Sequence, residues 1–286
     1  MRTLRLTDEV RDFSRAEKRN GRSVALVPTM GYLHDGHMSL VAAAKEAADV
    51  VIVSIFVNPT QFGAGEDLDK YPRDVERDLE LCRSAGVDAV FLPETSTIYP
   101  ENHATSVEVD ETLTGVLCGR FRPGHFKGVA TVVSILFNVC EPDVAVFGQK
   151  DAQQAVVIER MCRDLHFPVK IIVSPIIREK DGLALSSRNT YLTPAQRKQA
   201  PVLKSALDEA VMMYNQGERD VEKILTSVKK KLAASPLARP QYVELVSAKD
   251  LQPVKKVDSK ALLALAVFFG STRLIDNVIL APDSLE

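Results

Sequence analysis

No apolar stretch of this 286-residue chain approaches the roughly 20 consecutive residues that a membrane-spanning helix requires. The opening residues, Met1-Arg2-Thr3-Leu4-Arg5, lack the apolar core of a secretory signal, so the cytoplasm is the expected compartment and no membrane partner is expected. Charge of one sign is lacking too: 36 Lys and Arg against 38 Asp and Glu leave a formal net charge of -2. That balance argues against nucleic acid or an anionic lipid surface as partner. Cysteine is scarce, with only Cys82, Cys118, Cys140 and Cys162, and no Cys-x-x-Cys pair exists to hold zinc. All four read as reduced, mostly buried thiols.

What is present is an ordinary globular composition, 45% hydrophobic and 26% charged, enough to build a core. The length suggests about two domains. Histidine is concentrated: of five in the chain, two fall in one stretch, Pro28-Thr29-Met30-Gly31-Tyr32-Leu33-His34-Asp35-Gly36-His37. An apolar run over 23–27 precedes it and reads as a buried strand. An alanine-rich helix follows, with Leu40, Val41, Ala44 and Ala47 on one face. Asp35 or Gly36 is the expected cap. Free N–H groups at a helix start, with the positive end of its dipole, suit a phosphate chain, and residues three apart can reach the same one.

The other apolar runs extend this pattern. A helix is expected over 7–19, capped by Thr7 or Asp8, and a second buried strand over 50–57, giving a parallel βαβ unit. That strand runs into Asn58-Pro59-Thr60-Gln61, so Asn58 and Gln61 point into the crevice where ligands of parallel sheets collect. A helix to about residue 83, a strand over 89–93 and a short edge strand over 107–109 come next. Glycines 115, 119, 124 and 128, with Arg120, Arg122, His125 and Lys127 among them, read as a mobile lid. A buried helix over 129–139 leads to a strand over 143–147. Then Gly148-Gln149-Lys150-Asp151 repeats the opening device of strand, glycine turn and helix start, with Gln154 a turn further on. After a strand over 169–177, Leu185-Ser186-Ser187-Arg188 offers hydroxyls beside a guanidinium, a second phosphate clamp. One helix is expected from Thr193 to about 216 and another over 219–234. Three short strands close the chain, and Ser284-Leu285-Glu286 reads as a disordered or non-native end.

In order, the chain carries Pro28-Thr29-Met30-Gly31-x-Leu33-His34-x-Gly36-His37, Phe56-Val57-Asn58-Pro59-x-Gln61-Phe62, Lys70-Tyr71-Pro72-Arg73, Arg122-Pro123-Gly124-His125-Phe126, Phe147-Gly148-Gln149-Lys150-Asp151 and Leu185-Ser186-Ser187-Arg188-Asn189. On these six blocks it resembles the pantothenate synthetase (pantoate–β-alanine ligase) family over nearly its whole length. Tyr32 and Asp35 stand where that family often has Ala and Glu. The resemblance implies an α/β fold: a Rossmann-like parallel-sheet nucleotidyltransferase domain over 1–177, and a smaller α+β C-terminal lid domain over 178–286, in a homodimer. It implies that ATP and pantoate give pantoyl adenylate and pyrophosphate, and that β-alanine then displaces AMP.

Carried over, the ATP contacts are Met30, Gly31, Tyr32, Leu33, His34, Asp35, Gly36, His37, Gly148, Gln149, Lys150, Asp151, Ile177, Leu185, Ser186, Ser187 and Arg188. Gln61 and Gln154 hold pantoate, Gln61 also holds β-alanine, and His37 is the proton donor. Mg2+ is expected on the phosphates, with no metal site in the protein, since no carboxylate cluster announces itself. Pantoate's carboxylate is already ionised at neutral pH and needs no base. What needs help is charge growing on the α-phosphate and on leaving pyrophosphate, and His34, His37, Lys150 and Arg188 are the donors suited to it. Two alternatives stay open: a related nucleotidyltransferase that leaves the nucleotide on its product, and a non-catalytic nucleotide-binding protein.

Overall fold

The computed structural model describes residues 1–63 and 65–281, and the expected end at Ser284-Leu285-Glu286 lies outside the described residues. The chain folds as two compact units. One comprises Met1–Asp110, Phe121–Gln149 and Val157–Pro175; the other comprises Glu111–Arg120, Lys150–Val156 and Ile176–Glu286.

In chain order the elements begin with β1 (Arg2–Leu4), α1 (Thr7–Arg19), β2 (Val24–Thr29), α2 (Asp35–Ala47) and β3 (Val50–Ile55). They continue with α3 (Val75–Ser84), β4 (Ala89–Phe91), α4 (Thr95–Ile98), α5 (Glu111–Thr114), α6 (Leu117–Phe121) and α7 (His125–Cys140). Then come β5 (Val144–Gly148), α8 (Ala152–Asp164) and β6 (Lys170–Ser174). The strands of the first unit make one parallel sheet in the order β1-β4-β3-β2-β5-β6.

Successive side chains of a strand face opposite ways, and here both ways are apolar. Val24 and Leu26 of β2 join Val50 and Ile52 of β3 in a core with Val10 and Phe13 of α1 and Val133 and Phe137 of α7. Ala25, Val27, Val51 and Val53 face Leu40, Val41 and Ala44 of α2 and Cys82 of α3. Burying each large side chain of this kind contributes about 1.5–3 kcal/mol. From β2 the chain moves to β3 and β4 on one side, then returns to place β5 on the other. The sheet's switch point therefore lies between β2 and β5. Their ladder holds only Ala25 with Val144 and Leu26 with Ala145, while β2 and β3 stay paired as far as Thr29 with Ile55. Pro28, lacking an N–H, sits where the β2–β5 ladder has already stopped.

The second unit adds α9 (Pro194–Gln199), α10 (Val202–Asn215), α11 (Val221–Ala233), β7 (Ala238–Ser247), β8 (Ala261–Phe269) and β9 (Thr272–Leu280). Its sheet, β7-β8-β9, is antiparallel. Leu203, Leu207, Ile224, Val228 and Leu232 from α10 and α11 pack on Leu263, Leu265 and Phe269 of β8. Gly270, at φ +64°, turns β8 into β9.

Several expectations fail for identifiable reasons. The single helix from Thr193 is two, because Pro201 interrupts the run between α9 and α10. Residues 107–109 form no strand; Val107 N–H donates to Thr131 Oγ1 at 2.9 Å. The cap of α1 is not Thr7 or Asp8, since Glu9 Oε2 accepts from the N–H groups of Arg5 and Leu6. The 115–128 segment is not a glycine loop: it contains α6 and the start of α7, with His125 and Phe126 buried. β1 escaped notice because three residues carry no readable period. β7, β8 and β9 are not short, at 10, 9 and 9 residues.

Candidate active site

The turn between β2 and α2 is held from both ends. Thr29 Oγ1 donates to the Ser54 carbonyl at 2.8 Å and accepts from Gly31 N–H at 3.2 Å. Gly31 takes φ +79°, and a Cβ there would meet Asp78 Oδ2 and Ile55 Cγ2, each at 3.0 Å. Tyr32 follows at φ +51°, unusual for a residue with a side chain. The turn keeps that shape because Asp78 accepts both following amides, Tyr32 N–H and Leu33 N–H, at 2.7 Å each. Asp78 is buried on α3, and burial, opposed by these two amides, raises its carboxyl pKa above the ordinary value. Sequence reasoning missed Asp78. The signal was present: an aspartate one helical turn before Cys82, on the face that turns inward.

Neither Asp35 nor Gly36 caps α2; His34 does. Its Nδ1 accepts from Gly36 N–H at 3.1 Å, and His37 Nδ1 accepts from His34 N–H at 3.3 Å. The two rings lie 4.1 Å apart at 40°. An Nδ1 that accepts from an amide carries no proton, so each neutral ring carries its proton on Nε2. Both imidazoles thereby become Nε2–H donors fixed to the helix start, where the dipole favours an anion. Met30, Gly31, Tyr32, Leu33, His34, Asp35, Gly36 and His37 are thus one contiguous structure. Gly148 at the end of β5 is close to it, since a Cβ on Gly148 would touch Leu40 Cδ2 of α2 at 3.9 Å. Gln149 follows directly in a 3-10 turn.

Gln61 lies in the same unit, in the 3-10 turn Pro59–Gln61 beyond β3. It is 9% exposed. Its Oε1 accepts from Asn58 Nδ2 at 3.1 Å, and its Nε2 lies 3.1 Å from Met30 Sδ, which ties it to the histidine turn. Asn58, buried, also receives Tyr99 Oη–H at 2.8 Å and donates to the Gly128 carbonyl at 3.1 Å. The Gln61 carbonyl accepts from His125 Nδ1 at 2.8 Å, while Arg122 Nη1 donates to His125 Nε2 at 3.0 Å, which sets the opposite tautomer from that of the histidine pair. Arg122 also forks onto Glu66 with two 2.6 Å bonds. Burial pushes the Glu66 carboxyl up, but Arg122 outweighs it and holds the pKa below the ordinary value. The stretch expected as a lid is therefore, over 122–128, a wall that fixes Gln61. Tyr99 went unassigned, and Arg122 and His125 were read as lid residues, because Asn58, Glu66 and Gln61, which they hold, lie far from them in sequence.

Beside the turn, Met30, Gly31, Ile55, Phe56, Arg73 and Asp78 help to line a cavity of about 410 Å³.

The remaining predicted residues belong to the second unit. Lys150 Nζ stands 3.9 Å from Asp151 Oδ2. Gln154 is half-buried on α8, whereas its neighbour Gln153 is buried and engaged in structure, binding Cys118 N–H and the carbonyls of Leu113 and Val116. Ile177 and Leu185 face each other, with Leu185 N–H on the Ile177 carbonyl at 3.0 Å, and Arg178 bridges to Ala184 between them. Ser186 caps the 3-10 turn Ser187–Tyr191 by accepting from Arg188 N–H at 3.3 Å. The hairpin thus brings Ile177, Leu185, Ser186, Ser187 and Arg188 together.

A family model described as pantoate-beta-alanine ligase matches residues 2–279. A pantothenate synthetase of Moorella thermoacetica is 55% identical over 280 residues, 98% of this chain and 99% of that protein. A pantothenate synthetase of Thermus thermophilus superposes with a TM-score of 0.94 at 46% identity, covering 99% of this chain and 100% of that one. A pantoate-beta-alanine ligase of Francisella tularensis, complexed with beta-gamma ATP and beta-alanine, does so at 0.79 and 32% identity, over 98% and 97% of the two chains.

Proposed function

The chain belongs to the pantoate-beta-alanine ligase family, and from that membership we propose how its residues divide the chemistry. It is a ligase that condenses pantoate with β-alanine at the expense of ATP. In the reading proposed here, pantoate's carboxylate attacks the α-phosphate to give pantoyl adenylate and pyrophosphate. The β-alanine amine then attacks the acyl carbon, the C–O bond to AMP breaks, and an amide forms.

His34 and His37 donate Nε2–H to phosphate oxygens as charge moves onto pyrophosphate, and Lys150 and Arg188 add full positive charge. His37 is the proton donor. The other ATP contacts are Met30 to Leu33, Asp35, Gly36, Gly148, Gln149, Asp151, Ile177, Leu185, Ser186 and Ser187. Gln61 and Gln154 hold pantoate, and Gln61 also holds β-alanine. Neutral amides orient a carboxylate nucleophile without pairing it so tightly that its attack slows. Mg2+ arrives on the triphosphate, whose oxygens are the hard ligands it prefers. The division into 1–177 and a closing 178–286, the homodimer and the cytoplasmic setting belong to the same proposal. Among the described residues no helix is long and apolar enough to cross a membrane, and the four thiols are free.

The observation that carries this reading is the reciprocal capping of His34 and His37, which commits two imidazoles to the same donor tautomer at a helix start. The test is exchange of labelled pyrophosphate into ATP. Exchange that requires pantoate and proceeds without β-alanine supports the adenylate. Exchange indifferent to pantoate overturns it.

A further inference from the structure

Two neighbouring residues of β9, Asp276 and Asn277, are buried at 1% and 4% exposure in a strand that is otherwise mostly apolar. Buried polar side chains cost free energy unless they are bonded, and both are. Because neighbours on a strand face opposite ways, the two reach different parts of the second unit. Asp276 grips Arg178 with two bonds, 2.6 Å from Oδ2 to Nη1 and 2.9 Å from Oδ1 to Nη2, and its Oδ1 also receives Asn277 N–H at 2.8 Å. Arg178 Nη1 in turn donates to the Gly182 carbonyl at 3.0 Å, so Asp276 holds both arms of the hairpin that delivers 185–188. Asn277 Nδ2 donates to the Lys150 carbonyl at 3.0 Å.

One dipeptide on a regular strand, in register with Ala264 and Leu265 of β8, is thereby bonded to both segments that carry the second unit's candidate phosphate groups. We propose that Asp276-Asn277 is a positioning pair that sets the Lys150 turn against the Ser186–Arg188 loop, so that ammonium and guanidinium act on the triphosphate as a unit. The inference rests on the reading that Lys150 and Arg188 act on ATP. In this assignment both act through the backbone or side chain they hold, Arg178 for Asp276 and the Lys150 carbonyl for Asn277. A displacement of about 1 Å in such a group is enough to cost on the order of a hundredfold in rate.

The test is a double-mutant cycle on the pyrophosphate-exchange rate, with melting temperature measured alongside. Asn277→Asp keeps the size of the side chain and replaces its N–H donor with an oxygen facing the Lys150 carbonyl. It should lower kcat at least tenfold while leaving KM for pantoate within twofold. In a Lys150→Met background the same change should lower the rate less than threefold further, because the group it positions is already gone. Asn277→Gln, which keeps the donor, should recover part of the loss. Equal losses from Asn277→Asp in both backgrounds would mark a general structural role and overturn the inference, as would a single mutant with unchanged kcat. If Asn277→Asp unfolds, Asp276→Asn reads the other arm, with the same non-additivity expected against Arg188→Met. Failure of the underlying reading looks different: Lys150→Met alone would then leave kcat unchanged.

Discussion

Replacing Gly128 with alanine tests whether the wall beside Gln61 is a built part of the site. A Cβ on Gly128 would lie 2.5 Å from the Thr60 carbonyl oxygen, 2.6 Å from its carbon and 2.7 Å from Gln61 N. Ordinary contact begins at 3.4 Å, so the nearest atom must move by about 3.4 − 2.5, or 0.9 Å. All three atoms are backbone, so no rotamer change relieves them. Overpacking of this kind costs about 1–3 kcal/mol, and alanine in place of glycine inside α7 returns about 1 kcal/mol of helix propensity. The net loss of stability is then about 0–2 kcal/mol, a fall in Tm of at most about 8 °C at 2–4 °C per kcal/mol. Activity should suffer more. The turn that moves carries Gln61, and a shift of about 1 Å in a positioning group costs on the order of a hundredfold. Steady-state kinetics should show pantoate kcat/KM down by about that factor, with KM for ATP changed less than threefold. A variant with pantoate kcat/KM within twofold of wild type would refute the reasoning. So would a loss explained wholly by unfolding.

Asp78→Asn replaces one of two acceptor oxygens with an N–H that faces an amide N–H, at a cost of about 1–3 kcal/mol. The histidine turn should slacken and kcat fall by about a hundredfold, whereas unchanged kcat would show that the turn holds itself. Glu66 has a depressed pKa in the fold, so its pairing with Arg122 stabilises the protein fully above the unfolded value near 4.5 and is lost as pH falls through the folded value. Melting curves from pH 6 to about 3 should therefore converge for wild type and Glu66→Gln, and curves that stay parallel would contradict this. Asp78 runs the other way: its raised pKa makes it a contributor at low pH whose stabilisation declines as pH rises through the folded value. Burial pushes the Cys82 thiol up to about 12 and that of Cys162 to about 11. Neither should react with iodoacetamide in the native protein at about pH 8, and rapid labelling of either would show that its cover opens.

The parallel sheet and the histidine turn were legible in the sequence because local patterns carry them. Val24 to Val27 and Val50 to Ile55 are apolar on both strand faces, and a helical period resumes at Leu40. What was illegible depends on residues far apart in the chain. Asp78 meets Tyr32 across 46 positions and His125 meets Gln61 across 64, and no local period announces either pair. Glycine misled most at 128, where it reads as loop punctuation yet sits in a helix pressed on the neighbouring backbone. The cap of α2 was missed because histidine is a rare N-cap, and the preference for Asp there is only statistical. Pro201 is visible in the sequence, and its missing N–H, which cannot continue the i→i−4 ladder, is the local signal that separates α9 from α10 even though Ala200 before it keeps helical angles.

The central claim is that this protein uses ATP to join two acids through an adenylate. Counting AMP formed per pantothenate, with ATP, pantoate and β-alanine each omitted in turn, tests it most directly. The account predicts one AMP for each amide formed and none when any substrate is missing. AMP release that ignores β-alanine at multiple turnover, or a product that keeps the nucleotide, would contradict it.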